Sequence, residues 1–278
     1  MSLQQHHDTR RVFFHGGENQ SQTLVGLFQP CTDRPGCKDV VVLCHGLLCT
    51  KDSFFFPLLS RRLSSFVHVV RFDFRSSGLG DSQGSFSYGA YRDDVDDLGN
   101  VVRQLEEKPE GYRVRAVVGH SKGGNIVLLY AAAAAASDNK ADDDDVRPLV
   151  VNVSARFRMR GEGSRFSEEQ LKEMEEKGKF MWRVRDKYWE VTKEGYEERA
   201  SVDMTVVRDI QSKVLTIHGD SDEVIPLADA HMFHEHIPHH ELQVIAGASH
   251  FYHGKYEELV AAIVRWLSKE LNPPHPRL

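Results

Sequence analysis

A Gly-x-Ser-x-Gly motif is the first feature of the sequence that could do chemistry. It reads Gly119-His120-Ser121-Lys122-Gly123, directly after a β-branched run and directly before an apolar stretch. In that context it predicts a nucleophile elbow, a sharp strand-to-helix turn that holds the serine in a strained conformation at a helix N-terminus. Ser121 is therefore the candidate nucleophile, with an ordinary glycine-rich turn as the alternative interpretation.

A serine nucleophile needs a general base, and the base needs an acid that orients it. Two downstream segments supply candidates, His218 to Pro226 (HGDSDEVIP) and Gly247 to Phe251 (GASHF). Each follows a predicted strand, and active sites of open parallel sheets form beyond the carboxyl ends of strands. The residues leave three candidate acids and two candidate bases open: Asp220, Asp222 and Glu223, and His250 and His253.

Two backbone N–H groups must also face the oxygen that becomes negative during acyl transfer. Lys122, the residue after the candidate nucleophile, is predicted to supply one of them. The other is expected from the loop after the predicted strand Val40–Cys44, which reads His45-Gly46-Leu47-Leu48. His45 is predicted to hold this loop by hydrogen bonding.

The elements that must position these residues alternate between strands and helices. Short apolar runs predict strands, the first two as an antiparallel pair, and most of the runs are near-continuously apolar, as expected for strands buried on both faces. They lie at Val12–His15, Thr23–Gln29, Val40–Cys44, Val67–Phe74, Arg115–Val118, Leu149–Val153, Lys213–Ile217 and Leu242–Ile245. Helical periodicity lies between them, with one helix beginning near Ser87 and a last one ending near Asn272. This alternation predicts an α/β fold with a mostly parallel eight-stranded sheet and helices on both faces.

Clusters of acidic residues and histidines could suggest metal sites, but their patterns favour other interpretations. The predicted helix after Ser87 carries four aspartates, which we interpret as a solvated face: Asp93, Asp94, Asp96 and Asp97. The acidic stretch Ser137–Val146 lacks EF-hand spacing and is predicted to be a surface loop. The segment His231–His240 holds five histidines but no His-Glu-x-x-His motif. No metal and no cofactor is predicted.

The four cysteines lie close together in the sequence, at Cys31, Cys37, Cys44 and Cys49. They form no Cys-x-x-Cys pair, which disfavours a zinc site, and we expect free thiols. Cys31 and Cys37 are the pair that could bridge in an oxidising compartment. Cys44 and Cys49 flank the predicted oxyanion loop, but no elbow surrounds them, so neither is predicted to be a nucleophile.

Four groups of motifs together resemble the α/β-hydrolase superfamily: CHGLL, GLGDSQGSF, GHSKGG, and HGDSDEVIP with GASHF. Within it, the chain is similar to the small esterase/lipase and serine-aminopeptidase-like group, which includes bacterial cinnamoyl (feruloyl) esterases and their plant relatives. The resemblance extends from about Val12 to Leu267. It implies Ser121 as nucleophile, Asp222 as the acid and His250 as the base. It also implies Leu47 as the second oxyanion donor, with His253 at the surface.

The sequence departs from the pattern of this group at a few positions. Ile225 stands where valine is usual, and Ser76 and Gly80 depart from the group's D-x-R-G-x-G-x-S turn when the match starts at Asp73. That turn is structural in the group, so the departures leave the predicted triad intact.

The segment Arg156–Ile210 interrupts the strand–helix alternation. The resemblance implies a small cap over the active site, so we expect a hydrolase core at 11–155 and 211–271 and a cap at 156–210. We predict a charged helix at Ser167–Lys177 and a short strand or hairpin around Lys187–Val191. Four cap residues are candidate pocket walls, with packing inside the cap as the alternative: Met181, Trp182, Tyr188 and Trp189.

Composition narrows the remaining possibilities. The 278 residues have a formal net charge of -6, and 40% are hydrophobic, which fits one large α/β domain. An acidic balance disfavours nucleic acid and anionic membranes as partners. The polar N-terminal segment predicts no signal peptide, and the longest apolar run, Ile126 to Ala136, is too short to span a bilayer. We expect a cytoplasmic monomer or homodimer without a membrane span.

The predicted activity is a serine esterase acting on small soluble carboxylic esters through an acyl-enzyme. A ligand receptor or regulatory protein on the same fold, with weak or vestigial hydrolysis, is the alternative from another class, because a fold does not fix a function. Acyltransferase and aminopeptidase-type activities are further alternatives.

Overall fold

A large β-sheet lies at the centre of the structure. The structure is a computed structural model that describes residues 9–17, 20–136, 147–160 and 165–271. The strands are β1 (Arg10–Gly16), β2 (Gln22–Gln29), β3 (Asp39–Cys44), β4 (His68–Phe72), β5 (Arg113–His120), β6 (Leu149–Val153), β7 (Lys179–Val184), β8 (Lys187–Thr192), β9 (Val214–Gly219) and β10 (His240–Ile245). Eight of them form one sheet in the order β1-β2-β4-β3-β5-β6-β9-β10. Only the β1–β2 and β2–β4 pairs are antiparallel within it, so the predicted mostly parallel sheet is confirmed.

Helices cover both faces of this sheet, as predicted. They are α1 (Phe56–Leu63), α2 (Tyr91–Glu106), α3 (Lys122–Ala136), α4 (Glu168–Lys177), α5 (Lys193–Ser201), α6 (Leu227–His236) and α7 (Tyr256–Leu271). Residues of α2, α3 and α6 pack into one apolar cluster, and residues of α1 and α7 pack into another. Strand β3 shows why its sequence is continuously apolar: Val40 and Val42 join the first cluster, whereas Val41 belongs to the second.

The prediction that all four aspartates of α2 face solvent is wrong for Asp94 and Asp97, which are buried. Asp97 lies four positions before the buried Val101, and Asp94 lies three before Asp97, so both fall on the inward face of the helix. Each carboxylate is paired with a cation: Asp94 Oδ2 lies 2.9 Å from Nζ of Lys122, and Asp97 Oδ1 lies 2.6 Å from Nε of Arg75. The predicted acidic loop 137–146 lies outside the described residues.

The segment between β6 and β9 contains the predicted helix and hairpin. Ser167 caps α4 in a capping box, because its hydroxyl accepts from the Gln170 N–H while the Gln170 side chain accepts from the Ser167 N–H. Strands β7 and β8 pair as an antiparallel hairpin in which Trp182 lies opposite Trp189. A third apolar cluster holds this segment together: Tyr88, Phe166, Met174, Phe180 and Val191.

Neither a membrane-spanning helix nor a metal-binding cluster is present among the described residues. In these ranges, no helix is both long and apolar enough to cross a membrane. Across the same ranges, no group of three or more His, Cys, Asp or Glu side chains is placed to hold a metal ion. The four cysteines are free thiols, so the structure places no bridge between Cys31 and Cys37.

Candidate active site

The turn between β5 and α3 places Ser121 at the carboxyl end of the central strands. Its φ is +56°, in the left-handed region that is strained for residues other than glycine. Its N–H donates to the carbonyl oxygen of Val153 at 2.8 Å, which ties the turn to β6. A Cβ at Gly119 would lie 2.0 Å from the carbonyl oxygen of Gly123, and one at Gly123 would lie 2.1 Å from that of Cys44. Both glycines are therefore required by the close approach of backbone segments.

A chain of hydrogen bonds joins the three residues predicted as the triad. His250 Nε2 lies 3.0 Å from Ser121 Oγ, and His250 Nδ1 lies 2.8 Å from Asp222 Oδ2. Because a carboxylate only accepts, Nδ1 carries the proton and donates to Asp222, which leaves the Nε2 lone pair to accept from the serine hydroxyl. The side chains of His250 and Asp222 are almost fully buried. This geometry can transfer a proton from Ser121 to His250.

The rival acids and the rival base lie elsewhere. Asp220 is exposed, and its Oδ1 accepts from the Gly247 N–H at 2.7 Å and from the Ser221 hydroxyl, which is the bonding of a loop aspartate. Glu223 is exposed and accepts from the backbone N–H of His250 at 3.2 Å, away from the imidazole. His253 is exposed, with its ring 6.1 Å from that of Phe54. Of these candidates, only Asp222 and His250 are placed to act with Ser121.

The carboxylate of Asp222 is held ionised by donors on both of its oxygens. Oδ1 accepts from the N–H groups of Val224 and Ile225, and Oδ2 lies 3.3 Å from His218 Nε2 in addition to His250. Burial raises the pKa of Asp222, but the hydrogen bonds from His218 and His250 outweigh it and hold the pKa well below its usual range. Sequence reasoning missed His218, although it begins the HGDSDEVIP motif at the end of β9.

A second buried histidine lies behind the candidate base. His120 Nε2 lies 2.9 Å from the carbonyl oxygen of His250, so this nitrogen carries a proton and donates. Burial, and next the charge of His250, lower the pKa of His120 to about 3. His120 is therefore neutral at physiological pH and fixes the backbone of the loop that carries His250.

The loop after β3 packs directly against the candidate nucleophile. A Cβ at Gly46 would lie 3.1 Å from that of Ser121, and Leu47 lines the same cavity as Ser121. His45 is buried and holds the loop as predicted: its Nε2 accepts from the Phe74 N–H at 3.0 Å, and its Nδ1 donates to the carbonyl oxygen of Gly46 at 2.9 Å. The roles of Leu47 and Lys122 as oxyanion donors stay predictions.

The side chain of Lys122 has a separate place that the sequence did not indicate. It is buried, and its Nζ lies 2.9 Å from Asp94 Oδ2 and donates to Ser76 Oγ at 3.1 Å. Ser76 is one of the two positions that depart from the group's D-x-R-G-x-G-x-S turn, and here its hydroxyl accepts a hydrogen bond from the ammonium. These side chains and Leu47 line one small internal cavity, so the ion pair lies beneath the oxyanion loop.

Ser121 and His250 open onto a cavity of about 650 Å³. Trp182 and Trp189 lie on its wall, together with Phe54, Phe251 and Cys49. Burial raises the pKa of the Cys49 thiol to about 11, so it is protonated at neutral pH and a poor nucleophile.

Met181 and Tyr188, the other two predicted pocket walls, do not line this cavity. They are 50% and 61% exposed, on the other face of the hairpin. Side chains alternate between the two faces of a strand, so one face of β7 and β8 carries the paired Trp182 and Trp189 while the opposite face carries Met181 and Tyr188. The prediction is therefore corrected for these two residues.

A family model described as the alpha/beta hydrolase family matches residues 41–263. The chain belongs to the alpha/beta hydrolase family. The match includes the elbow, the oxyanion loop and both segments that carry Asp222 and His250. No curated protein matches this alpha/beta hydrolase at a significant level.

Solved structures share its fold at low sequence identity. Ferulic-acid-bound Est1E from Butyrivibrio proteoclasticus is 17% identical with a TM-score of 0.76, and the alignment covers 94% of this chain and 99% of that one. Alpha/beta hydrolase domain-containing protein 10 from mouse is 17% identical with a TM-score of 0.69, covering 94% and 99%. XC6422 from Xanthomonas campestris, an a/b serine hydrolase without a lid, is 20% identical with a TM-score of 0.64, covering 96% and 97%. At these identities the likeness shows the fold alone.

Proposed function

We propose that this alpha/beta hydrolase is a serine esterase that cleaves carboxylic esters of small soluble substrates through an acyl-enzyme. The observation that carries the proposal is the hydrogen-bonded chain from Ser121 through His250 to Asp222, which opens onto a cavity large enough for a small ester. A nucleophile, a base and a buried acid in this order are the requirements for acyl transfer by a serine.

In the proposed mechanism, Ser121 Oγ attacks the ester carbonyl while its proton passes to His250 Nε2. The carboxylate of Asp222 stabilises the resulting imidazolium and keeps the proton of Nδ1 in place. The negative carbonyl oxygen accepts from the backbone N–H groups of Leu47 and Lys122.

Collapse of this intermediate breaks the bond to the alkoxy group, which leaves as an alcohol with the proton from His250. Water then gives a proton to His250 and attacks the acyl carbonyl. Collapse of the second intermediate returns that proton to Ser121 and releases the acid.

We further propose that residues 11–155 and 211–271 are the hydrolase core and that residues 156–210 are a cap that selects substrates. Support comes from the cavity wall, where cap residues Trp182 and Trp189 face the loops that carry Ser121 and His250. The proposed cap packs around a small apolar cluster that it shares with Tyr88 of the core, and in which Phe166 and Phe180 contact each other with ring centroids 4.8 Å apart.

Labelling with a fluorophosphonate probe tests the nucleophile. The wild type should label and Ser121→Ala should not. Ser201→Ala is the matched control, because Ser201 is exposed at the end of α5, and it should label like the wild type. Equal labelling of wild type and Ser121→Ala would show that Ser121 is not the nucleophile.

Steady-state turnover tests the reaction class. The panel contains 4-nitrophenyl esters of increasing chain length and methyl ferulate, which is included because Est1E binds ferulic acid. Multiple turnovers that are lost in Ser121→Ala support the esterase. Binding without turnover favours a receptor, products that depend on an added alcohol or amine favour an acyltransferase, and cleavage of peptide amides alone favours an aminopeptidase-type activity.

A further inference from the structure

Basic side chains outnumber acidic ones on the wall of the cavity above Ser121. The wall carries four basic residues and two acidic ones: Arg156, Arg165, Arg185 and Lys187, and Asp186 and Glu223. Within the described residues, none of the four cations lies within 4.0 Å of a carboxylate oxygen. By contrast, Arg158, which does not line the cavity, pairs with Asp229 at 3.0 Å.

Arg156 is the best-positioned of these cations. Its main chain is clamped to α3, because its carbonyl accepts from the side chain of Asn125 at 2.6 Å and its N–H donates back to Asn125 Oδ1 at 3.2 Å. Asn125 in turn donates its N–H to the carbonyl oxygen of Ser121 at 3.1 Å. The position of Arg156 is thus fixed relative to the candidate nucleophile through one intermediate residue.

The guanidinium of Arg156 is half-buried and keeps N–H donors that have no partner among the described residues. Its Nη2 donates to the carbonyl oxygen of Val224 at 2.6 Å, whereas a guanidinium offers five N–H groups in a planar fork. Burial lowers the pKa of Arg156, and the positive charges of Arg199 and Arg165 lower it further, while the negative charge of Asp229 offsets part of this effect. A partly desolvated cation beside other cations is unfavourable until an anion compensates it.

Arg165 adds a second guanidinium to the same wall. Its Cζ lies 5.5 Å from the ring centroid of Trp182, so the cation is held against an aromatic face that also lines the cavity. Arg165 is exposed, as are Arg185 and Lys187, and water screens exposed charges. We therefore assign the main contribution to Arg156 and a smaller one to Arg165.

We propose that the cavity binds esters that carry a second, anionic group, a carboxylate, which contacts Arg156 and Arg165 while the ester carbonyl lies at Ser121. A planar carboxylate matches the guanidinium fork, and its single charge matches the single half-buried cation. Monoesters of dicarboxylic acids are the substrate class that this arrangement fits. This proposal rests on the proposed esterase function.

A matched pair of esters tests the preference for a substrate that carries a carboxylate. Mono-4-nitrophenyl glutarate ends in a carboxylate, and 4-nitrophenyl hexanoate has a chain of the same length that ends in a methyl group. Arg156→Met should lower kcat/KM for the glutarate ester by about 10- to 100-fold, the range for hydrogen bonds to charged groups. It should change kcat/KM for the hexanoate ester by less than about 3-fold, because no full charge on that substrate is affected.

Arg183→Met is the matched control. Arg183 lies on the β7–β8 hairpin, on the face opposite Trp182 and Trp189, is exposed, and does not line the cavity. Arg183→Met should leave the ratio of kcat/KM for the glutarate ester to kcat/KM for the hexanoate ester unchanged. Arg165→Met should lower this ratio by less than Arg156→Met does. A ratio that Arg156→Met does not change, or that Arg183→Met lowers equally, would overturn the proposal.

A binding measurement separates this proposal from the esterase proposal. Ser121→Ala keeps the cavity, and monomethyl glutarate carries both an ester and a carboxylate. Calorimetry should show binding of monomethyl glutarate to Ser121→Ala and its weakening by about 10-fold or more in Ser121→Ala/Arg156→Met. Absence of binding to Ser121→Ala would overturn the anion site even if the wild type hydrolyses neutral esters, whereas binding without any turnover by the wild type would overturn the esterase alone.

Discussion

Lys122 and Asp94 form an ion pair in which both side chains are buried, with Nζ 2.9 Å from Oδ2. The pair joins the first residue of α3, whose N–H is a predicted oxyanion donor, to the first turn of α2. Asp94 Oδ1 has no partner among the described residues. Lys122 is thus the charge partner of Asp94 among the described residues, and the pair lies against the loop at residues 45–48 that is predicted to supply the second oxyanion donor.

Asp94→Leu should destabilise the protein by about 3 to 5 kcal/mol, because it leaves the ammonium of Lys122 buried without an anion. The double variant Asp94→Leu/Lys122→Met removes both charges and should recover most of that loss. Urea denaturation of the wild type, Asp94→Leu, Lys122→Met and the double variant measures the coupling free energy between the two charges. Losses that simply add in the double variant would show that the two charges do not depend on each other.

Asp222→Asn should lower kcat by about 10⁴-fold with little change in stability, because an amide no longer holds His250 in the tautomer that accepts from Ser121. Asp220→Asn is the control. Its amide oxygen can still accept from the Gly247 N–H, so kcat should stay close to that of the wild type. A larger loss in Asp220→Asn than in Asp222→Asn would reassign the acid.

The buried His120 predicts how stability depends on pH. Its folded-state pKa, about 3, lies below the ordinary value of 6.5, so the unfolded chain binds a proton between these values that the folded protein does not. The free energy of unfolding should therefore fall as the pH decreases from 6.5 towards 3.

His120→Gln should reduce this slope, since a glutamine amide can still donate to the carbonyl oxygen of His250 but does not titrate. Denaturation by urea at pH 4.5 and pH 7.5 gives, for each variant, the difference in the free energy of unfolding between the two pH values. The control His253→Gln changes an exposed histidine and should keep the wild-type difference. An unchanged difference in His120→Gln would mean that other groups set the acid sensitivity.

The sequence predicted the sheet and the edge at which Ser121, Asp222 and His250 meet, because each follows a strand within a contiguous motif. The family resemblance, and not strand position alone, selected Asp222 and His250 among the candidates. Parallel strands end at one edge, so the motifs had to meet there. The partnership of Lys122 with Asp94 was not predictable in this way. The ion pair depends on which face of α2 packs against the rest of the protein. Because the four aspartates are so closely spaced, their pattern does not show which of them lie on that face.

The β7–β8 hairpin shows a different limit to prediction from sequence. Strand side chains alternate, but β7 and β8 carry large apolar residues on both faces, so the pattern did not identify the face that lines the cavity. The buried face of the hairpin is determined by tertiary packing, because Phe180 and Val191 pack with Tyr88 and Phe166 in the third apolar cluster. Met181 and Tyr188 then point outward.

Substitutions of two neighbouring aromatic residues of β8 should therefore differ in their effect on activity. Trp189 lies on the cavity wall and packs against Phe86 with ring centroids 5.1 Å apart, whereas Tyr188 is 61% exposed. Trp189→Ala should lower kcat/KM for esters by about 10-fold or more, because an apolar wall of the pocket is lost. Tyr188→Ala should stay within about 2-fold of the wild type, as for other surface substitutions.

Measuring kcat/KM for 4-nitrophenyl butyrate and decanoate in both variants separates the roles of the two residues. A loss of pocket contact in Trp189→Ala should grow with acyl length, since longer chains lose more contact area. A uniform loss across the series would indicate that Trp189 only stabilises the packing of the β7–β8 hairpin against Phe86. A loss in Tyr188→Ala equal to that in Trp189→Ala would place substrate on both faces of the hairpin, against the geometry of the strand pair.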